Sequence, residues 1–389
     1  MGINKINSLI AEYCPSGVEF RALGSICGIS RGRVISKEYL RDNAGSYSVY
    51  SSQTSNNGVF GLINTYDYEG TFITWTTDGA HAGSVFYRNN EKFSITNVCG
   101  LINNNSPDKI NLRFIYYVLS IVAKDYVSEG MGNLKLMSNV MSLIKVPVPP
   151  LEVQEEIVRI LDSLTQLESE LRMQLKSELK ARRKQYHYYR DKLFDSESHK
   201  FKQMMLCDIG DVKMCKRVLK SQTKPTGDIP FYKIGSFGRA ADAFISQELY
   251  EQYVQKYPFP KKGDVLISAS GTIGKIVVYD GKPAYFQDSN IVWIENDEKI
   301  VLNKYLRHFY HIAKWYVSSG GTIDRLYNDN IRKTIIPVPS LEEQNRIVSI
   351  LDKFDALVND ISCGLPAEIA ARRKQYEYYR DKLLAFKEA

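Results

Sequence analysis

The sequence predicts a mixed α/β (α+β) chain written twice: two similar globular domains, each followed by a long helical connector, in a pseudo-twofold internal repeat. Three observations carry this reading. The segment Ala181-Arg182-Arg183-Lys184-Gln185-Tyr186-His187-Tyr188-Tyr189-Arg190-Asp191-Lys192-Leu193 returns almost letter for letter as Ala371 to Leu383, about 190 residues later. The match opens where Pro147-Val148-Pro149-Pro150-Leu151-Glu152 becomes Pro337-Val338-Pro339-Ser340-Leu341-Glu342, and it runs on without insertion or deletion. Short alternating runs bounded by turn formers precede each connector, and apolar residues at three-four spacing follow both of them. A duplicated domain and connector gives one chain two similar surfaces, which suits a two-part target, DNA first among them.

Composition sets the frame. The chain has 389 residues, 44% of them apolar, enough for two or three domains with separate cores. A net charge of +7 and a pI near 8.8 are compatible with a polyanionic partner and do not by themselves select one. Cys14, Cys27, Cys99, Cys207, Cys215 and Cys363 lie far apart with no C-x-x-C spacing, which argues against a zinc site and fits a reducing compartment. No run approaches the ~18 apolar residues of a membrane span, so a cytoplasmic protein without a membrane partner is expected.

The first domain, residues 1–146, contains strand-like runs at Thr71 to Trp75 and Ser84 to Tyr87, then a denser apolar helix pattern at Leu112 to Leu119. The second, residues 200–336, repeats that order with strands at Asp264 to Ser268 and Lys275 to Tyr279 and a helix at Lys304 to Tyr310. Fainter echoes join Gly45–Tyr50 to Gly227–Tyr232, and Leu23–Ile26 to Leu206–Ile209. The connectors, 147–199 and 337–389, resemble each other far more than the domains do, as expected if they keep a common task while each domain reads a different ligand.

Within the connectors, Ile157, Leu161, Leu164, Leu171 and Leu175, and Ile347, Leu351, Phe354, Val358, Ile361 and Leu365, form helix-packing seams. Pro147, Pro149 and Pro150, like Pro337 and Pro339, cannot sit inside a helix and fix where each helix leaves its domain. The first helix should run about 40 residues, roughly 60 Å. Gly364 and Pro366 stand where the first copy has Gln174 and Lys176, which predicts a break in the second helix only.

With these features laid out, the chain resembles the specificity subunit of Type I restriction-modification systems over nearly its whole length. The most specific matches are the two P-V-P-x-L-E-x-Q-x-x-I-V-x-I-L-D motifs, Pro147 to Asp162 and Pro337 to Asp352, and the two R-R-K-Q-Y-x-Y-Y-R-D-K-L tails. The opening Cys14-Pro15-Ser16-Gly17-Val18-Glu19-Phe20 with Leu23-Gly24 is similar to the family's as well. The resemblance implies two target-recognition domains that each read half of a split double-stranded DNA sequence, with antiparallel connector helices as spacer. It also implies docking to two adenine-methyltransferase subunits and, through them, to restriction subunits. Many relatives carry a Gly-Leu-Pro break before the tail, and this chain has it at Gly364-Leu365-Pro366 but not in the first connector.

No catalytic constellation stands out. The sequence lacks a G-x-x-x-x-G-K-[ST] phosphate loop, a G-x-G-x-x-G after a strand and an Asn-Pro-Pro-aromatic tetrapeptide, so no catalytic residue, metal site or cofactor is assigned to the chain. S-adenosylmethionine, ATP and magnesium are expected on partner subunits. The glycine pairs Gly235/Gly238 and Gly271/Gly274 read as tight turns. His308 and His311, at i, i+3 with no further ligand signature, read as surface or core histidines rather than metal ligands.

DNA reading needs donors for base edges and cations for phosphates. In the first domain Arg31 and Arg33 follow the opening strand, and Thr76 to His81, with Thr77, Asp78 and His81, forms a polar turn between strands. In the second, Lys213, Lys216, Arg217 and Lys220 take the place of the arginines, and Ser268 to Thr272, with Ser270 and Thr272, matches the turn. Glycine-containing stretches ending in Lys135 (Gly130 to Lys135) and Arg325 (Gly320 to Arg325) either approach the DNA backbone or end a helix.

In the tails, Arg182, Arg183, Tyr186 and Tyr189, and Arg372, Arg373, Tyr376 and Tyr379, could line DNA, but tyrosines at this spacing favour packing against another helix, with the exposed remainder docking the methyltransferase. Two other classes stay open at this point. A metal-dependent nuclease with scattered carboxylates would cut DNA as the purified chain alone. A helical scaffold with two protein-binding modules would show no salt-dependent DNA affinity.

Overall fold

The computed structural model describes residues 2–130, 132–195, 200–317, 324–360 and 362–389. It forms two compact units, Met1–Met173 with Ala370–Ala389 and Gln174–Ile369. Each unit holds one globular domain, the first half of the connector that follows it and the second half of the other connector.

In the first unit the strands are β1 (Phe20–Ala22), β2 (Cys27–Arg31), β3 (Tyr47–Tyr50), β4 (Val59–Ile63), β5 (Tyr68–Thr76), β6 (Val85–Ile95), β7 (Cys99–Asn104), β8 (Ser128–Gly130), β9 (Asn133–Lys135) and β10 (Lys145–Pro147). Six make one sheet in the order β2-β7-β5-β6-β3-β4, antiparallel except for β3 beside β6. An isolated bridge from Arg33 to Thr96 brings the end of β6 back toward the β2 edge, so the sheet curls. Inside the curl lie Tyr50, Phe93, Ile95, Cys99 and Leu101. Over the other face packs the domain helix Leu112–Val122, which Asn111 caps by accepting hydrogen bonds from the Arg113 and Phe114 amides.

The same core continues into the connector helix Leu151–Leu193, 43 residues without interruption. Val153, Ile157 and Leu161 are fully buried against the domain helix, and each large aliphatic side chain contributes about 1.5–3 kcal/mol by burial. β1 pairs with β10, tying the start of the domain to its end. Residues 387–389 add a parallel bridge at Val18.

In the second unit the strands are β11 (Lys202–Met205), β12 (Asp211–Lys213), β13 (Ile229–Tyr232), β14 (Phe244–Ile245), β15 (Val265–Ser268), β16 (Ile276–Val278), β17 (Tyr285–Phe286), β18 (Ile291–Glu295) and β19 (Ile335–Val338). The sheet β12-β18-β15-β16 corresponds in order and direction to β2-β7-β5-β6, and β11 pairs with β19 as β1 does with β10. The remaining strands separate into a three-stranded sheet, β14-β13-β17, so the second domain divides where the first is continuous. Its domain helix is Asn303–Tyr310 and its connector begins with Leu341–Asn359.

The connector motif has a physical role that both copies share. Gln154 is fully buried: its Oε1 accepts from the Asn111 amide (2.8 Å), and its Nε2 donates to the Lys109 (2.9 Å) and Pro149 (2.7 Å) carbonyls. Gln344 does the same with the Leu302 amide and the Ile300 and Pro339 carbonyls, at 2.8–2.9 Å. One amide thus fastens the start of the connector to the entry of the domain helix. The motif's final aspartate completes the attachment. Asp162 accepts from Arg113 Nε (2.9 Å) and the Tyr117 hydroxyl (2.5 Å), and Asp352 accepts from His308 Nε2 (2.7 Å).

The predicted break in the second connector is present: one helix ends at Asn359 and the next runs Leu365–Leu384. Gly364 turns so tightly there that a Cβ would lie 2.4 Å from the Ala356 carbonyl oxygen, while Pro366 sits in the first turn of the new helix, where its missing N–H costs nothing. Ile361 lies outside the described residues. Of the other seam residues, Ile347, Leu351 and Val358 are buried, Phe354 packs against the same core, and Leu365 is half-buried at the start of the new helix.

His308 is a core histidine. Burial pushes its pKa below the ordinary imidazole value, with Asp352 partly opposing and Arg307 adding to the shift. His311, exposed just past the end of the same helix, is shifted in the same direction. A lowered folded-state pKa means that the unfolded chain binds more protons, so stability rises with pH across the interval below the unfolded histidine value of about 6.5 and is lost as pH falls through it. Thermal midpoints should therefore drop on acidification from neutral pH, and the His308→Gln/His311→Gln double variant should flatten that slope. An unchanged slope would show that neither histidine controls it.

Candidate nucleic-acid interface

The polar turn predicted in each domain is built on one hydrogen-bond framework. In the first domain the Thr76 amide donates to the Ser84 carbonyl (3.0 Å), the Ser84 amide to Thr76 Oγ1 (3.0 Å), and the Gly83 amide to the Thr76 carbonyl (2.9 Å). In the second, Ser268 takes the place of Thr76, Lys275 that of Ser84 and Gly274 that of Gly83, at 2.8–3.0 Å. The Thr76 and Ser268 hydroxyls donate across the turn to the His81 and Thr272 carbonyls.

The next residues match as well. The Thr77 amide donates to Val98 and its carbonyl accepts from Leu136, as Ala269 does with Asn290 and Leu326. Isolated antiparallel bridges then join Asp78 to Lys135 and Ser270 to Arg325. Lys135 and Arg325, the last residues of the two glycine-containing stretches singled out in the sequence, are therefore held beside the polar turns. Met131 and Gly320 to Ile323, also singled out, lie outside the described residues.

In the first domain the structure brings together Arg31, Thr77, Asp78 and Lys135. The Arg31 guanidinium donates to the Asn97 carbonyl (2.5 Å), reaches Thr77 Oγ1 at 3.5 Å and lies 3.8 Å from Asp78, while Lys135 Nζ lies 3.9 Å from the same carboxylate. His81 is exposed at the tip of the turn. Arg33 is not drawn into this cluster: it pairs with Asp67 at 3.0 Å and lies over the Tyr39 ring.

Thr77 corrects the sequence reading. It is 0% exposed and its hydroxyl donates to Asp78 Oδ2 at 2.8 Å, so it orients the carboxylate and has no surface of its own for a ligand.

In the second domain Ser270 calls for the same correction. At 6% exposure, its hydroxyl donates to Asn290 Oδ1 at 2.8 Å. Arg325 donates to that same oxygen at 3.0 Å, and Arg217 pairs with Asp288 at 2.8 Å. These groups line a groove of about 510 Å³ with Lys220 and Lys233. Thr272 is exposed on the turn beside a smaller recess of about 260 Å³ that Arg239 and Lys275 also line. Lys216 is exposed, with its ammonium over the Tyr257 ring at 5.0 Å. Lys213 is held between Asp211 (3.3 Å) and Glu295 (3.4 Å), so its charge is already offset and it adds little to a field that would attract phosphate.

Asp288 and Asn290 were not singled out from the sequence. The signal available was the polar run Gln287-Asp288-Ser289-Asn290 before a strand, in the position of Thr96-Asn97-Val98 in the first domain.

The tail tyrosines pack between helices. Tyr186 is buried, and Tyr189 stacks on Phe354 with centroids 5.7 Å apart. The Tyr376 hydroxyl lies 2.9 Å from Thr165 Oγ1, and Tyr379 joins it in an apolar groove with Leu164 and Leu171. The arginines face outward: Arg182 pairs with Glu178 and Arg373 with Glu377, Arg372 donates to Gln375, and Arg183 is exposed. Among the described residues no group of three or more His, Cys, Asp or Glu side chains is placed to hold a metal, and no helix is long and apolar enough to cross a membrane.

Comparison with known proteins agrees with this architecture. The Type I restriction modification DNA specificity domain matches residues 15–181 and again 199–371. A putative type I restriction enzyme specificity subunit of Haemophilus influenzae is 48% identical over 95% of this chain and 96% of its own length. A putative type I specificity subunit of Mycoplasma pneumoniae is 34% identical over 92% and 95%. Among solved structures, a chain from a study of complex assembly and conformational transition of the type I R-M system matches with a TM-score of 0.69 at 16% identity, covering 95% of this chain and 98% of that one. The HsdS subunit of Thermoanaerobacter tengcongensis matches with a TM-score of 0.55, also at 16% identity, over 95% and 97%. With two copies of the specificity domain and near full-length relatives on both measures, the chain belongs to the Type I restriction-modification specificity-subunit family.

Proposed function

We propose that this specificity subunit binds a bipartite double-stranded DNA sequence, one half per domain, and docks two methyltransferase subunits, and through them restriction subunits, while carrying out no chemistry itself. The observation that supports this most is the shared turn framework, which presents Asp78 with Arg31 and Lys135 in one domain and Asn290 with Arg325 and Arg217 in the other. A common scaffold with different donors and acceptors at its surface is what reading two different half-sequences requires. Cations at each framework would hold phosphates: exposed Arg31 and half-buried Lys135 in the first domain, exposed Lys216, Arg217 and Lys220 and half-buried Arg325 in the second, with Arg33 standing apart on its Asp67 pair. His81, Asp78 and Thr272 stand at the turns, within the same surfaces.

The exposed arginines of the tails, Arg183 and Arg373 among them, would face the methyltransferase subunits, and the tyrosines would keep the helices rigid. S-adenosylmethionine, ATP and magnesium belong on the partners in this reading, and the base to be methylated would be flipped into the partner's pocket. The test is binding and methylation by the full chain with its methyltransferase partner. Affinity should fall about a hundredfold or more between about 50 and about 200 mM salt, as for a protein that displaces several counterions. Adenine methylation should require both proteins. Methyl transfer or metal-dependent cleavage by the rigorously purified chain alone would refute the non-catalytic assignment, and salt-independent binding would favour a protein scaffold.

A further inference from the structure

We propose that Asn290 is a specificity-determining residue of the second domain, presenting a hydrogen-bond donor to guanine, and that Asp78 presents an acceptor from the first. The inference rests on the DNA-reading function proposed above.

The side-chain amide of Asn290 is fixed by its neighbours. Arg325 has donors only, so the atom facing it at 3.0 Å must be the amide oxygen, and the Ser270 hydroxyl donates to that oxygen too, at 2.8 Å. The backbone is held on both sides, with the Asn290 carbonyl accepting from the Ala269 amide (2.7 Å) and its own amide donating to the Asp288 carbonyl (2.7 Å). The carboxamide oxygen is thereby used up. Asn290 lines the groove with Arg217 and Lys233, and its Nδ2 group has no hydrogen-bond partner among the described residues.

An asparagine commonly reads adenine by using both its oxygen and its nitrogen. Asn290 cannot do so, because its oxygen already serves two donors. What it offers is an NH₂ with two hydrogens, and the base edge with two adjacent acceptors in the major groove is guanine, through O6 and N7.

In the first domain the position equivalent to Asn290 is Val98, which has no polar side chain. The polar group is Asp78, ordered by the Thr77 hydroxyl and flanked by Arg31 and Lys135. A carboxylate accepts only, and its match is the amino group of cytosine or adenine.

Asn290→Asp is nearly isosteric, keeps an oxygen for Ser270 and Arg325, and turns the free NH₂ into an acceptor. Expressed with the methyltransferase partner and profiled by sequencing methylated adenines, N290D should lose preference for a G·C pair at one position of one half-sequence by about tenfold or more, in favour of a pair presenting an amino group. The other half should not change. Asp78→Asn is the reciprocal test and should alter one position in the other half only.

If wild-type profiling gives a bipartite sequence and N290D leaves both halves as they were, the inference fails and the proposed function stands. If the wild-type chain with its partner neither binds DNA in a salt-dependent way nor directs methylation, both fall. Should N290D not fold, Asn290→Ala provides the same reading: relaxation at the G·C position alone supports the inference, and uniform weakening over all positions overturns it.

Discussion

Replacing Gln154 by Leu should lower the thermal midpoint of the chain by roughly 10 °C. The side chain is of similar volume but has no polar atoms, so the Asn111 amide and the Lys109 and Pro149 carbonyls each lose a partner. A buried backbone group left unsatisfied costs about 1–3 kcal/mol, and three of them together roughly 3 kcal/mol or more once some relaxation is allowed. In a unit of about 190 residues each kcal/mol moves the midpoint by about 2–4 °C. Gln344→Leu should act equally on the second unit, since its three contacts are the same in kind and length. Gln174→Leu, on an exposed part of the same connector, should move stability by less than about 0.5 kcal/mol and serves as the control. A Q154L midpoint within experimental error of the wild type would mean that these three bonds do not hold the connector to its domain.

That glutamine shows why some of the fold could be read from the sequence and some could not. The connectors were legible because helical periodicity is local: the apolar seam, the proline entry and the Gly-Leu-Pro break each sit within a few residues of the feature they cause. The repeated L-E-x-Q was visible too, but its purpose was not, because its partners at 109–111 and 300–302 lie more than 40 residues upstream.

Of the four domain strands named from the sequence, β5, β15 and β16 lie within a few residues of their expected bounds, while β6 runs eight residues past Tyr87 to Ile95. Thr77, offered to DNA by the sequence reading, is fully buried just past the end of β5, as are Thr74 and Thr76 within it. A threonine-rich strand looks half-exposed by composition, yet these hydroxyls are satisfied internally, Thr74 by Arg88 at 3.0 Å and Thr77 by Asp78 at 2.8 Å. The same limit applies to the interface. Arg31, Asp78, Lys135, Arg217 and Arg325 could be chosen by residue type and position. Asn290 could not, because what distinguishes it is the pair of donors that occupy its oxygen, and Arg325 lies 35 residues away. The division of the second domain's sheet was hidden for a related reason: strand order depends on pairings distant in sequence.

Exchanging residues 20–146 for the matching segment of a relative with a different target should replace one half of the recognised sequence completely and leave the other half as it was. The graft carries β1 and all but the last residue of β10, so the pairing that closes the domain travels with it. Inside the domain the curled sheet has its own core, the two polar attachments to the connector tolerate sequence change, and the shared core needs only that the graft keep apolar residues opposite Val153, Ile157 and Leu161. Gln154 bonds only backbone groups of the domain and of Pro149, so it needs the same chain path rather than the same side chains. Asp162 needs a donor from the domain helix, and the two domains of this chain already supply different ones: Arg113 and Tyr117 to Asp162, Arg307 and His308 to Asp352. The connector is therefore a standard socket for unlike domains. Methylated-adenine sequencing of cells expressing the exchanged chain with its methyltransferase partner measures the outcome directly. A change in both halves would show that the domains read jointly, and no change in either would place recognition outside residues 20–146. Where the graft lacks a donor opposite Asp162, the carboxylate is left partly buried without its partners, and restoring Arg113 alone should recover folding with the new half-sequence retained.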